Sequence, residues 1–100
     1  MNYAAETHGD VLDIRVGGRM THADYREFRE ILGHINEGKP ARVVFDLHGV
    51  EFVDSSALGM LLIVRDSAVQ AGREIVLKGA SGQVEKLIHV GKLSRYFTVE

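Results

Sequence analysis

The sequence predicts one α/β domain, in which helices pack on a mixed β-sheet and the elements follow the order ββαβαβα, with a further strand expected at the end. Residues 11–16 alternate between apolar and polar side chains, residues 43–47 are almost continuously apolar, and residues 25–35 repeat apolar side chains at helical spacing. The first two patterns are typical of strands and the third is typical of a helix. A chain of 100 residues can bury a sufficient core without metal or disulfide bonds, so we assign residues 1–100 to a single domain.

The composition restricts the classes of function that the chain can have. Its formal net charge is −2, and the basic residues form no cluster, so we expect neither direct nucleic-acid binding nor membrane binding. Cysteine is absent, which removes thiol chemistry and fits a reducing compartment. The first residues lack a basic segment followed by an apolar one, so we expect no secretory signal and a cytoplasmic location. No cofactor is predicted.

The N-terminal residues predict an antiparallel hairpin. Tyr3 and Ala5 belong to a weakly patterned segment that predicts a short edge strand, and residues 8–10 predict a turn. Residues 11–16 place every second side chain on one face, as a half-buried strand does. Gly17–Gly18 are expected to end this second strand.

An amphipathic helix is predicted next. Thr21 is a suitable N-cap, and Asp24 places a carboxylate in the first turn, close to a capping box. Apolar side chains then recur at helical spacing: Tyr25, Phe28, Ile31, Leu32 and Ile35. We expect both aromatic residues to lie in the core. Residues 38–40, with the sequence GKP, are expected to end the helix.

The central part of the chain predicts a βαβ unit. Residues 43–47 predict a strand that is either central in the sheet or covered on both faces, and His48–Gly49 predict a turn after it. Helix formers from Ser55 to about Ala71 predict a second helix, followed by Gly72. Residues 75–77 predict the next strand. Since a helix connects the two strands, they should be parallel.

The last quarter predicts a short helix and a terminal strand. Residues 79–82 predict a loop, and the spacing of Val84 and Ile88 predicts an amphipathic helix that ends at Gly91. Residues 96–99 are rich in aromatic and β-branched side chains, which predicts the terminal strand.

The candidate functional site is the polar segment Asp54–Ser56. It lies between a buried strand and a helix, at the carboxyl end of a parallel strand, where open α/β sheets place their functional crevice. A helix leaves its first N–H groups unpaired, and its dipole attracts anions to this end. An anion would therefore be tolerated here.

A catalytic serine is disfavoured by the neighbouring residues. The nucleophile elbow G-x-S-x-G requires glycine two residues before and after the serine, whereas Val53 and Ala57 hold those positions around Ser55. A metal site is not predicted either, because cysteine is absent and neither His34 nor His48 has a histidine partner four residues away. A small hydrolase therefore ranks last among the functions we considered.

Two interpretations of this segment remain, a helix cap and a phosphoacceptor. Asp54 and Ser55 are both preferred N-cap residues. Capping needs only one side chain, however, whereas three consecutive residues are polar here. A serine at the first helical position directs its hydroxyl outward, and phosphorylation would add about −1.5 to −2 charges at that point. We therefore favour Ser55 as a site of phosphorylation.

The segment Phe52–Gly59, with the sequence FVDSSALG, resembles the signature of STAS domains, specifically bacterial anti-sigma-factor antagonists. Residues 43–47 and Gly17–Met20 extend the resemblance over essentially the whole chain. The resemblance implies that the unphosphorylated protein binds an anti-sigma factor with serine kinase activity and releases its sigma factor. It further implies that phosphorylation ends this binding and that a PP2C-type phosphatase resets the protein. By position in the motif, the phosphoacceptor is Ser55.

The resemblance also predicts a partner-binding surface around that serine. The surface comprises Arg19, Met20, Thr21, His22, Asp54, Ser55, Ser56, Gly59 and Met60. Two positions depart from the family pattern, since Ala57 replaces the usual glycine and Thr21 stands where an acidic residue is common. Other roles stay open, namely a constitutive accessory subunit of an ABC lipid-transport complex and a regulator of biofilm formation or secretion. Weak homodimerisation stays open as well.

Overall fold

The computed structural model describes residues 1–100, and its elements follow the predicted order, including the final strand. The strands are β1 (Asn2–His8), β2 (Val11–Met20), β3 (Arg42–Val53), β4 (Glu74–Lys78) and β5 (Thr98–Val99), and the helices are α1 (Tyr25–Gly38), α2 (Ser55–Gln70) and α3 (Gly82–Val90). Two 3₁₀ turns, His22–Asp24 and Leu93–Arg95, precede α1 and β5. None of the helices has both the length and the hydropathy needed to cross a bilayer.

The five strands form one mixed sheet in the order β1-β2-β3-β4-β5. The β1–β2 pair is antiparallel and joined by a tight turn in which Gly9 has φ +61°, a conformation that glycine adopts without steric cost. The pairs β2–β3, β3–β4 and β4–β5 are all parallel. Parallel neighbours need a crossover, and α1, α2 and α3 supply the three crossovers. The predicted hairpin and βαβ unit are confirmed.

All three helices cover the same face of the sheet. The side chains of Leu12, Ile14, Val43, Phe45 and Leu77 share one core cluster with residues of α1, α2 and α3. The opposite face carries no helix. Ion pairs lie on it instead, between Arg15 and Glu6 and between Arg42 and both Glu74 and Glu100. The strand β3 is therefore central in the sheet, which is one of the two arrangements that its apolar run predicted.

Two predicted strand ends are wrong, because β2 and β3 continue side by side beyond their glycines. The strand β2 runs through Gly17–Gly18 to Met20, and β3 runs through His48–Gly49 to Val53. The register of the pair shifts at Arg15/Gly17 and at Gly18/Arg19, as expected for a bulge. A Cβ atom on Gly49 would lie 3.2 Å from the Val16 carbonyl oxygen. The glycines permit a close approach of two strands and do not end them.

The start of α1 also differs from the prediction. Thr21 caps the 3₁₀ turn that precedes the helix and forms a capping box with Asp24, so α1 begins only at Tyr25. Tyr25 is 62% exposed, whereas Phe28 is 3% exposed, so the expectation that both aromatic residues lie in the core is wrong for Tyr25. The helix ends as predicted, with Lys39 in the left-handed conformation after Gly38.

Candidate functional site

The N-terminus of α2 is capped by Asp54, which leaves the two following serines free. The Asp54 carboxylate accepts a hydrogen bond from the Ala57 N–H at 2.7 Å, and the first helical bond runs from the Leu58 N–H to the Asp54 carbonyl at 3.0 Å. Ser55 and Ser56 are both exposed. Their N–H groups precede the first helical bond, so they are free to donate to an anion. The segment thus combines a cap with an accessible hydroxyl.

The Asp54 carboxylate is held in its ionised form by the groups that donate to it. Hydrogen bonds from the Ala57 N–H and, at 3.1 Å, from the His22 N–H lower the pKa of Asp54 below its ordinary value, and these outweigh the effect of desolvation. The imidazole of His22 contributes as well, with Nδ1 at 3.6 Å from the carboxylate. At neutral pH the helix therefore begins with a fixed negative charge beside Ser55.

The end of β2 is joined directly to this helix start. The Asp54 N–H donates to the Met20 carbonyl at 3.0 Å, and the guanidinium of Arg19 lies 4.4 Å above the ring of Phe52 on the neighbouring strand. The residues Arg19–His22 and Asp54–Ser56, which are distant in the sequence, therefore lie beside each other, as the predicted surface requires.

The 3₁₀ turn beside the site is fixed by a second carboxylate. Asp24 accepts hydrogen bonds from the Thr21 N–H and from the amino group of Met1, each at 2.7 Å. Burial raises the pKa of Asp24, but the ammonium group and the Thr21 N–H outweigh this effect and lower the pKa overall. An ionised Asp24 thus holds the turn from which His22 reaches Asp54.

One predicted surface residue is misplaced. Met20 is 0% exposed and belongs to the core cluster, so its side chain cannot contact a partner in this structure. The reason is the continuation of β2, which keeps Met20 on the buried face. The other predicted residues have some exposure: Arg19, His22, Ser55 and Ser56 are exposed, whereas Thr21, Asp54, Gly59 and Met60 are half-buried.

Gln83 is a contributor to the site that sequence reasoning missed. Its side-chain carbonyl accepts a hydrogen bond from the Val53 N–H at 3.1 Å, and its amide donates to the Val53 carbonyl at 3.0 Å. Gln83 lies in the first turn of α3, so this pair of bonds ties Val53, the residue before Asp54, to the start of α3. An isolated polar residue in a loop-to-helix segment gives no pattern that would predict such a contact.

The two serine hydroxyls lack the neighbouring base that nucleophilic catalysis by serine needs. Neither serine hydroxyl is hydrogen-bonded to a histidine or a carboxylate, since the Asp54 carboxylate is occupied by the Ala57 and His22 N–H groups. Nucleophilic catalysis by serine requires such a base within hydrogen-bond reach. The structure contains no group of three or more histidine, aspartate or glutamate side chains that could hold a metal ion.

Comparison with known proteins identifies the family. Residues 2–100 match the family model described as the STAS domain, and the chain is 33% identical over 91 residues to a STAS-domain containing protein of Pseudomonas aeruginosa strain UCBPP-PA14. The matched residues cover 91% of this chain and 89% of that relative. The chain therefore belongs to the STAS domain family.

Solved structures support the same fold. The anti-sigma factor antagonist SpoIIAA in its unphosphorylated form is similar with a TM-score of 0.75 and 19% identity, over 99% of this chain and 87% of that chain. The phosphorylated form of SpoIIAA, a Bacillus cell fate determinant, has a TM-score of 0.75 at 18% identity, over 99% of this chain and 91% of that one. A sulfate transporter family protein from Wolinella succinogenes has a TM-score of 0.76 at 18% identity, over 94% and 79% of the two chains. At these identities the similarity concerns the fold.

Proposed function

We propose that this STAS domain is a protein-binding switch controlled by phosphorylation of Ser55, of the anti-sigma-factor antagonist kind. In its unphosphorylated form it binds an anti-sigma factor with serine kinase activity, and the sigma factor is released. Transfer of phosphate to the Ser55 hydroxyl ends the binding, and a PP2C-type phosphatase hydrolyses the phosphate. The observation that carries this proposal is the exposed Ser55 hydroxyl beside a separate cap, Asp54.

The fold should tolerate the phosphate, while the binding surface should not. The unpaired N–H groups of the first turn and the helix dipole favour an anion at this end, so we expect little rearrangement within the domain. Outside it, about two negative charges are added next to the ionised Asp54. Like charges that meet across an interface cost several kcal/mol, which corresponds to roughly a thousandfold loss of affinity.

The proposed binding surface follows the exposed residues around the serine. It comprises Arg19, Thr21, His22, Asp54, Ser55, Ser56, Gly59 and Met60. Met20 is left out because it is buried. Within this surface, Gly59 lies about one turn after Ser55, and a Cβ atom on Gly59 would meet nothing within 4 Å. The missing side chain would let the backbone of a partner come close to α2.

The fold similarity to a sulfate transporter family protein favours one alternative. In it, the domain is a constitutive subunit of a larger assembly, such as an ABC lipid-transport complex. Ser55 would then receive no phosphate. A purified complex would contain a transport ATPase and no serine kinase.

The switch is tested by incubating the protein with ATP and the serine kinases encoded near its gene, and by locating any phosphate by mass spectrometry. We expect phosphate on Ser55, none in Ser55→Ala, and kinase binding that is retained in Ser55→Ala and lost in Ser55→Asp. The matched control is Ser81→Asp, because Ser81 is an exposed serine at the N-cap of α3 without a side-chain cap bond. It should bind like the wild type. Equal kinase binding by Ser55→Ala and Ser55→Asp would contradict the switch.

A further inference from the structure

A shallow apolar groove lies between α1 and α2, next to the Ser55 site. Its volume is about 230 Å³, and its lining includes Tyr25, Phe28, Leu32, Met60 and Ile63. Tyr25 and Ile63 are 62% and 63% exposed, although both are large apolar side chains. We call this feature the α1/α2 groove.

The groove is continuous with the proposed binding surface. His22, in the turn before α1, hydrogen-bonds to Asp54 at the start of α2, so the N-terminal ends of both helices lie side by side. On α2, Ser56, Met60 and Ile63 share one side, because residues four and seven positions apart in a helix are stacked. A partner that contacts the serines can therefore extend along the groove without leaving the protein surface.

The α1 side of the groove carries a net positive charge, from Arg29 in the lining and from Arg26 beside it, with Glu30 as the one neighbouring acid. Arg29 is the only charged residue in the lining, and it forms no ion pair, only a contact of 5.8 Å with the ring of Tyr25. Arg26, one turn earlier, has a side chain that is 85% exposed and pairs only loosely with Glu30, at 3.7 Å. An exposed pair of this kind is weak, so both guanidinium groups are available to a partner.

Building on the function proposed above, we propose that the α1/α2 groove receives an amphipathic helix of the partner protein, whose acidic edge faces Arg26 and Arg29. A helix presents apolar side chains at intervals of three and four residues, which fits a groove between two helices. The volume is below the roughly 300–1,000 Å³ of pockets that enclose a small molecule. A second copy is disfavoured, because a two-fold contact would set the same arginine-bearing patch against itself.

This occupant also explains how a phosphate on Ser55 would act on the partner. The acidic helix would lie beside the phosphate, and the two would repel each other, in addition to the repulsion by Asp54. Repulsion between partly exposed charges is screened by salt, with a Debye length of about 10 Å at 0.1 M and about 3 Å at 1 M. The difference in affinity between the unphosphorylated and phosphorylated forms should therefore shrink as the salt concentration rises.

The groove can be tested before the partner is identified. The photo-crosslinking residue p-benzoylphenylalanine is placed at position 63 of the full chain in cells of the organism that encodes it, and crosslinked peptides are sequenced by mass spectrometry. The same residue at position 90 is the matched control, since Val90 is an apolar residue on α3 with 67% exposure. A third variant carries it at position 22, inside the surface of the proposed switch, where the side chain of His22 is 81% exposed.

We expect position 63 to capture a protein segment with apolar residues at helical spacing and at least two acidic residues on one edge, and position 90 not to capture it. The double change Arg26→Glu and Arg29→Glu should reduce this product about tenfold or more, because it sets like charges opposite each other, whereas Lys86→Glu on α3 should leave it unchanged. A product with this chain itself, with lipid or with a segment lacking acidic residues would overturn the proposal. So would an unchanged yield in the double variant.

The two proposals fail in different ways. A partner captured at position 22 but not at position 63 would overturn the groove and leave the binding surface of the switch in place. An acidic helix captured at position 63, together with the absence of phosphate on Ser55 in the kinase experiment, would support the groove and contradict the switch. No capture at either position would contradict both.

Discussion

Gly59 offers a test that separates folding from binding, because replacing it by alanine should have opposite effects on the two. The residue lies inside α2 with ordinary helical geometry, and an added Cβ atom would meet nothing within 4 Å. Glycine inside a helix is less favourable than alanine by about 0.8–1 kcal/mol. With no steric conflict to offset this gain, Gly59→Ala should stabilise the domain by about 1 kcal/mol, or by roughly 4–8 °C in melting temperature for a domain of this size.

Urea and thermal denaturation measure this gain directly. Gly33→Ala in α1 is the matched control, since Gly33 is also helical and an added Cβ atom there would also meet nothing within 4 Å. Both variants should be stabilised to a similar extent. A Gly59→Ala variant that melts at or below the wild-type temperature would show that the α2 backbone is not the regular helix described here.

Binding should respond in the opposite direction at Gly59 only. If a partner backbone packs against this position, an added methyl group must be accommodated in the interface, and overpacking of this kind costs about 1–3 kcal/mol, or roughly tenfold in affinity or more. Titration of both variants with the cognate kinase, by calorimetry, provides the comparison. Wild-type affinity for Gly59→Ala, with the stability gain present, would refute the close approach at this position.

Three further predictions concern the elements that hold the site. Gln83→Ala removes two hydrogen bonds to Val53 and should lower the free energy of urea unfolding by about 1–3 kcal/mol. The control Gln70→Ala, at the exposed end of α2, should lower it hardly at all. Equal values for the two variants would contradict the role of Gln83. Met20→Ala should lower the free energy of unfolding by about 2–5 kcal/mol in the same measurement, because it opens a cavity in the core. A loss of binding at unchanged stability would instead show that Met20 contacts the partner, against its buried position. Because the pKa of Asp54 is lowered in the folded state, its ionised carboxylate stabilises the fold above the pKa of an unfolded aspartate, near 4, and this stabilisation is lost as the pH falls through the folded value. The stability difference between the wild type and Asp54→Ala should therefore be constant near pH 7 and shrink in acid. A difference that grows in acid would contradict this.

The parts of the fold that follow from long periodic patterns can be predicted from the sequence. The second helix is predicted to begin at Asp54–Ser55, and it begins there because an aspartate cap precedes a run of helix formers. The hairpin and the parallel order of β3 and β4 follow from turn residues and from the length of the connecting helix. These features depend on local chemistry and on connection length, both of which the sequence contains.

The errors arise where tertiary contacts decide. Gly17–Gly18 and His48–Gly49 are usual turn signals, but here Gly17 pairs with Gly49 in a bulged parallel pair of strands. The local sequence of one strand does not show which residues of another strand it will pair with. Continuing the alternation of residues 12, 14 and 16 to residue 20 would have placed Met20 on the buried face. Tyr25 is exposed although it fits the apolar spacing, and it is the first residue of α1. The contact of Gln83 with Val53 joins residues 30 positions apart, and no local pattern predicts it.

The central claim is that a phosphate on Ser55 switches partner binding while the fold stays intact. The most direct measurement is the affinity of one serine kinase for the chain in two forms, unphosphorylated and carrying a single phosphate on Ser55, with melting temperature recorded for both. We predict similar melting temperatures and an affinity that falls by roughly a thousandfold at low salt. Equal affinities for the two forms, with the phosphate located on Ser55, would contradict the switch.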